Sequence, residues 1–203
     1  MSEEKKGLHV VFLGYRDWAM PILETVRTHP RVETLRFCMT NDDYCGYMWE
    51  RHQDIDLVLY CGWSTEPEEH WVKKVMHVGL HCAESDRYSA GTPLQNQIID
   101  GLKETKHRVF RVWHPELSLR EWSHETTIDL RGGIGEVLEQ LTVTGKLLFN
   151  QFLDDYPNVK WRHWPKVGED NWRPKRKPED SRLGKKTMAR MSTEKLYDFF
   201  RCL

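Results

Sequence analysis

The sequence predicts a doubly wound α/β domain, and three observations carry the prediction. Short apolar runs at Leu8–Leu13 (LHVVFL), Asp56–Cys61 (DLVLYC) and Val78–His81 each end in a glycine or a polar loop. Amphipathic helical patterns separate or follow them, the longest from Ile134 to Phe152. The length, 203 residues, suits one such domain with a small appendage. Strands alternating with helices give a mostly parallel sheet with helices on both faces, and its ligands bind beyond the carboxyl ends of the strands.

Leu8–Leu13 is rich in β-formers and ends in Gly14. Tyr15, Arg16 and Asp17 make a turn, and Ile22, Leu23 and Val26 then recur at helical spacing. The glycines of a GxGxxG loop are missing, so a dinucleotide fingerprint is not indicated. Val32–Met39 alternates and predicts a second strand, and Asn41–Tyr47 reads as a turn. Asp56–Cys61 is the clearest buried strand, closed by Gly62-Trp63-Ser64. Pro67–Val78 predicts a helix leading into the strand Val78–His81. After a polar loop, Thr92 is an expected N-cap with Pro93 at the first helical position, and Leu94, Ile98 and Ile99 form the apolar face.

His107–Val112 (HRVFRV) alternates as a strand should. Trp113–Trp122 reads as a loop or hairpin, Ser123–Leu130 as a further strand, and Gly132-Gly133 as a break. Val137, Leu138, Leu141, Leu148 and Phe152 line one side of the helix that follows. From Pro157 to Lys186 the composition turns polar, basic and turn-rich, before a last amphipathic helix at Ser192–Leu203. The expected division is therefore an α/β domain over 1–156 and a C-terminal extension over 157–203.

The charge is nearly balanced, 30 Lys+Arg against 31 Asp+Glu, so net charge favours neither nucleic acid nor an anionic membrane as partner. No run approaches the roughly 20 apolar residues of a membrane span. Five scattered cysteines without a CxxC pair suit a reducing cytoplasm, and no leader is apparent. The histidines show no HxxxH spacing, so no metal is expected. His81 stands apart. It ends an apolar strand and is followed by a loop opening onto a helix, which sets a proton carrier beside backbone N–H groups, a place for chemistry on a carbonyl. Taken alone, such a histidine is more often a structural residue at a strand end.

The stretch Val78–Gly101, VGLHCAESDRYSAGTPLQNQIIDG, resembles the active-site segment of the folate-dependent formyltransferases. It is most similar to the short sugar N-formyltransferases, where Ser or Thr followed by Pro-Leu-Gln-Asn opens the helix after the histidine loop; here these are Thr92, Pro93, Leu94, Gln95 and Asn96. Gly168, the basic run Lys175-Arg176-Lys177, and Pro178, Glu179 and Ser181 add a second likeness. The resemblance runs from about Leu8 to Leu203. It implies a formyltransferase-type, Rossmann-like fold with a small C-terminal extension. It also implies 10-formyltetrahydrofolate as co-substrate and a nucleotide-linked amino sugar as acceptor.

By the same resemblance His81 stabilises the oxyanion formed as the amine attacks. Gly62, Trp63, Ser64, Val112 and Trp113 would bind the cofactor, and Tyr15, Arg16, Lys175 and Arg176 the substrate. Two positions depart from the family pattern. Gly79 stands where many relatives carry asparagine, two residues before the histidine. No aspartate follows the strand at Val109; Glu116 and Glu121 flank its place, and Glu116 is the candidate carboxylate. Asn96 either supplies the missing amide or faces solvent. The basic run either grips a phosphate, is a solvated face, or is a structural loop packed near the cleft. These departures make the second reading a catalytically silent relative that keeps the cleft for binding a ligand or a partner, or for regulation. Methionyl-tRNA formylation fits less well, since those enzymes carry a further C-terminal RNA-binding domain. The expected setting is cytoplasmic, without membrane or nucleic acid, with a homodimer allowed. Relatives usually continue past the position of Leu203, so the expectation is either a shortened protein or a piece of a longer one.

Overall fold

The computed structural model describes residues 7–65, 68–88, 92–112, 121–163 and 173–203. Seven strands form one sheet in the order β2-β1-β3-β4-β5-β6-β7. They are β1 (Leu8–Leu13), β2 (Val32–Cys38), β3 (Leu57–Tyr60), β4 (Met76–Cys82), β5 (Glu104–Arg111), β6 (Glu121–Asp129) and β7 (Arg162–His163). The first four in sequence pair in parallel, while β5, β6 and β7 each run antiparallel to their neighbour. Seven helices accompany them among the described residues: α1 (Met20–Arg27), α2 (Asn41–Arg51), α3 (Glu69–Val72), α4 (Pro93–Ile99), α5 (Ile134–Asp155), α6 (Lys185–Met188) and α7 (Thr193–Arg201). None of them is long and apolar enough to cross a membrane.

Helices cover the parallel half on both faces, which is why its central strands read as near-continuous apolar runs. Val10, Phe12, Leu57, Leu59 and Val78 share a core with Ile22, Leu23 and Val26 of α1 and Leu148, Phe149 and Phe152 of α5. Val11, Leu13, Val58 and Tyr60 share the opposite core with Tyr44 and Met48 of α2 and Trp71 of α3. The long helix α5 lies close because position 145 is glycine: a Cβ there would sit 2.5 Å from Ile22 Cδ1 and 3.0 Å from Leu80 Cδ1. A third cluster joins Leu94 and Ile98 of α4 to Val137 and Leu141 of α5 and Cys202 just past α7.

Two local expectations are corrected. Asn41–Tyr47 is not a turn but the start of α2. Thr40 caps it, its side chain accepting from the Asp43 amide, and Asp42 and Asp43 fill the first turn, where the helix dipole favours acidic groups. Tyr44 and Met48, one turn apart, are its buried face. The helix expected over Pro67–Val78 is a single turn, α3, anchored by the buried Trp71. After a turn at positions 73–75, β4 starts at Met76, which pairs with Leu57 of β3.

Two histidines are built into the interior. The Nδ1–H of His77 donates to Val75 O (2.8 Å), so its Nε2 accepts from the Tyr44 hydroxyl (2.8 Å). Burial lowers its pKa to about 4. The Nδ1 of His107 meets Thr144 Oγ1 at 2.7 Å, and that hydroxyl donates onward to Gln140 O. Burial, aided by the nearby charge of His81, lowers the His107 pKa to about 3. Both imidazoles bind protons more weakly in the folded than in the unfolded chain. Stability is therefore full above the unfolded value, about pH 6.5, and falls as the pH drops toward the folded values. At pH 5 each histidine is expected to cost about 2 kcal/mol relative to pH 8. Urea midpoints at the two pH values measure the sum, and His107→Gln should flatten the fall by about half.

Candidate active site

Leu13, Tyr60 and Gly79 lie level across β1, β3 and β4. Two residues further along each chain come Tyr15, Gly62 and His81. The loops after β1 and β3 dock against each other. Gly62 has φ +67°, and a Cβ there would meet Arg16 Cγ at 2.8 Å, so the position needs glycine both for its backbone and for the neighbouring side chain. The Tyr15 hydroxyl donates to Ser64 Oγ (2.8 Å), the Tyr15 and Trp63 rings lie 5.9 Å apart at 59°, and the Arg16 guanidinium sits 4.8 Å over the Tyr15 ring. The residues expected for cofactor (Gly62, Trp63, Ser64) and for substrate (Tyr15, Arg16) are thus one aromatic and cationic cluster.

His81 is half-buried near the end of β4 and pairs directly with Arg108 of β5. Arg108 is held on three sides. Its Nε donates to Glu125 (2.6 Å), its NH1 to Ala83 O (2.7 Å), and its guanidinium lies 5.0 Å over the Trp122 ring. On the same strand face the His81 ring meets Phe110, centroids 5.7 Å apart at 68°. Beside them a Cβ at Gly79 would stand 2.7 Å from Phe110 Cε1, 2.9 Å from its Cζ and 3.1 Å from Tyr60 Cβ.

Helix α4 is tied to the end of β4 by Gln97, which is fully buried and has partners on both its amide nitrogen and its oxygen. Its Nε2 donates to Cys82 O (3.1 Å) and Pro93 O (3.0 Å), and its Oε1 accepts from the Glu84 amide (2.8 Å) and the Thr105 hydroxyl (2.6 Å). Asn96, the next residue back, is buried rather than solvent-facing, and its Nδ2 donates to Pro174 O (2.9 Å). Thr92 does not take the extended N-cap conformation. It has φ +65°, and its hydroxyl accepts from the Arg176 amide (3.0 Å) instead of capping α4. The C-terminal segment is therefore strapped over α4. The Arg173 amide bonds Arg87 O (2.8 Å) and its guanidinium bonds Asp100 (2.9 Å), while Arg176 donates to Asp180 O (2.7 Å) and lies 5.6 Å over the Phe199 ring. Of the three readings of the basic run, the packed structural loop describes Arg176, while Lys175 is exposed.

No protein-family model and no curated protein matches the sequence. Solved structures do. A methionyl-tRNA formyltransferase from Clostridium thermocellum superposes with a TM-score of 0.76 at 18% identity, over 97% of this chain and 83% of that chain. The chain has the formyltransferase fold. A sugar N-formyltransferase from a Shewanella species is similar at TM-score 0.71 and 12% identity, over 96% of this chain and 87% of that one. HypX from Aquifex aeolicus, solved in complex with tetrahydrofolic acid, is similar at TM-score 0.69 and 16% identity, over 94% of this chain and 33% of that one.

Within this formyltransferase fold the sequence-predicted residues divide. Tyr15, Arg16, Gly62, Trp63, Ser64 and His81 lie at the carboxyl ends of the parallel strands. Val112 is buried in the core shared with α2 and α3, its amide bonded to His77 O (2.9 Å). Asn96 and Arg176 join α4 to the C-terminal segment. Trp113 and Glu116 lie outside the described residues. Glu121, the other flanking glutamate, is ion-paired with Arg111 at 3.0 Å. Sequence reasoning missed Gln97, Arg108, Phe110 and Glu125. Gln97 had a signal, a polar residue beside the apolar positions of a short helix. So did Phe110, because a glycine inside a buried strand marks the close approach of another group.

The strap over α4 yields a prediction. Asn96→Ala removes the donor to Pro174 O and should weaken the local structure by about 1 kcal/mol. The Arg173 and Arg176 amides should then exchange about fivefold faster with solvent, with α4 protection unchanged, as read by hydrogen exchange.

Proposed function

We propose that the chain transfers a formyl group from 10-formyltetrahydrofolate to the amine of a nucleotide-linked amino sugar. The observation that carries this reading is the position of His81 at the carboxyl edge of β4, two residues past the level row of Leu13, Tyr60 and Gly79 as Tyr15 and Gly62 also are, in a fold shared with solved formyltransferases. The folate-bound HypX structure supports a folate-type co-substrate. The neutral amine attacks the formyl carbon. An imidazole N–H of His81 donates to the oxygen on which negative charge develops, a contact worth roughly 3–4 kcal/mol of barrier. The folate sits against Gly62, Trp63 and Ser64, with Val112 as packing beneath and Trp113 on the following segment. Tyr15 and Arg16 offer an aromatic face and a cation to the nucleotide. Lys175 is the exposed cation of the basic run, and Arg176 holds that run in place. Glu116 takes the proton released by the amine, and as the intermediate collapses the bond from the formyl carbon to N10 of the folate breaks, that proton passing to N10 so that tetrahydrofolate leaves.

A second reading has its own observation. Phe110 fills the space where a side chain at position 79 would stand, so no amide can assist His81 from there. This favours a protein that binds the ligand without turning it over.

Incubation with 10-formyltetrahydrofolate and a panel of amino-sugar nucleotides, read by mass spectrometry, separates the two. Formylated product is expected from the wild type, and at least about a hundredfold less from His81→Asn. No product, with heat released on titration of 5-formyltetrahydrofolate, would establish the binding-only reading. Neither product nor heat at millimolar ligand would remove both.

A further inference from the structure

We propose that Phe110 is the positioning residue that sets the orientation of the His81 imidazole, and that position 79 is glycine to seat its ring. The functional part of this inference rests on the formyl-transfer reading; the orientation itself does not.

The register supplies the first argument. Gly79 and Phe110 are direct partners across the β4–β5 ladder, and His81 lies two residues along on the same strand face. Direct and diagonal neighbours in an antiparallel pair are within reach of an aromatic side chain. The ring of Phe110 uses both relations. It leans across β4 over Gly79, where a Cβ would stand 2.7 Å from its Cε1, and it meets the imidazole of His81 at 5.7 Å and 68°. Tyr60 of β3 closes the far side of the seat, its Cβ 3.1 Å from the same point. A side chain at position 79 would lift the ring from this seat.

The second argument is rotational. A histidine χ2 torsion is broad and roughly twofold, so a functional imidazole needs a neighbour that selects one ring plane. A hydrogen-bonding amide could do this through its dipole. Phe110 makes such a selection through its shape and through the edge-to-face preference of aromatic pairs. The other side of the slot is fixed too, because Arg108, the direct partner of His81, is held by Glu125, Ala83 O and Trp122. The imidazole therefore meets a seated ring, and the residue directly across the ladder from His81 is itself tethered. Phe110 has only to stay in place, and it takes no part in bond making.

The test begins with NMR, which needs no turnover. In the wild type the ring protons of His81 should give one set of signals, displaced from those of an unstructured histidine by the ring current of Phe110. Phe110→Ala should collapse that displacement and broaden or split the signals. Phe110→Leu fills the space without a ring, so it should lose the displacement and keep a single set. Gly79→Ala disturbs the same seat from the other side and should perturb His81 in the same way, which guards against poor folding of Phe110→Ala. In the formyl-transfer assay Phe110→Ala should lower kcat at least about tenfold with KM for both substrates little changed, and Phe110→Leu should recover most of it. Unchanged His81 signals in folded Phe110→Ala, or wild-type kcat in that variant, would overturn the proposal. A wild type that transfers no formyl group while Phe110→Ala still disorders His81 would sink the formyl-transfer reading and leave the orientation standing.

Discussion

A parallel sheet covered on both faces sets the terms for everything else in this chain. The side chains of β1, β3 and β4 point into one apolar core or the other, so polar chemistry has to gather where the strands end. The level row of Leu13, Tyr60 and Gly79 fixes that edge to within a residue. Beyond it, Tyr15, Gly62 and His81 arrive together from segments widely separated in sequence. Gly62 then has a double duty: its left-handed backbone turns the chain, and its missing Cβ admits Arg16.

The change from parallel to antiparallel pairing at β4–β5 is the second determinant. Had β5 been parallel, its first residues would lie at the far end of the sheet. Run backwards, its middle lies beside the carboxyl end of β4, and Arg108 and Phe110 become neighbours of His81. The same reversal brings Thr105 to Gln97 and so fastens α4 to the strand it follows. One topological switch thus furnishes both walls of the histidine slot and the anchor of the helix beyond it.

This explains what could be read in advance. Strands β1, β3 and β4 announce themselves as apolar runs, α5 as a long amphipathic period, and His81 as a histidine placed where such a run stops. These are local signals. The helix α2 was hidden because its first turn, Asn41-Asp42-Asp43, has the composition of a turn, and only the Thr40 cap and the spacing of Tyr44 and Met48 reveal it. The neighbours of His81 were hidden for a different reason. They depend on the register of a pairing between distant segments, and alternation in HRVFRV shows which residues share a face without saying what they face. Asn96 is the sharpest case: its partner carbonyl, Pro174, is 78 residues away, and the helix pattern alone could not tell a buried anchor from a surface amide.

The contact between positions 79 and 110 also decides what kind of side chain can stand beside His81. An asparagine before the histidine offers a hydrogen bond but needs room for its side chain. A phenylalanine on the adjacent strand offers packing but takes that room. With a Cβ at position 79 only 2.7 Å from the ring, the two solutions exclude each other sterically. The pair behaves as one coupled choice, because residues in such contact do not act additively. Gly79 is the half of an apolar arrangement that makes space, and Phe110 is the half that fills it. Whether a polar or an apolar neighbour addresses His81 follows from that pair, while the strand end that presents the histidine stays the same.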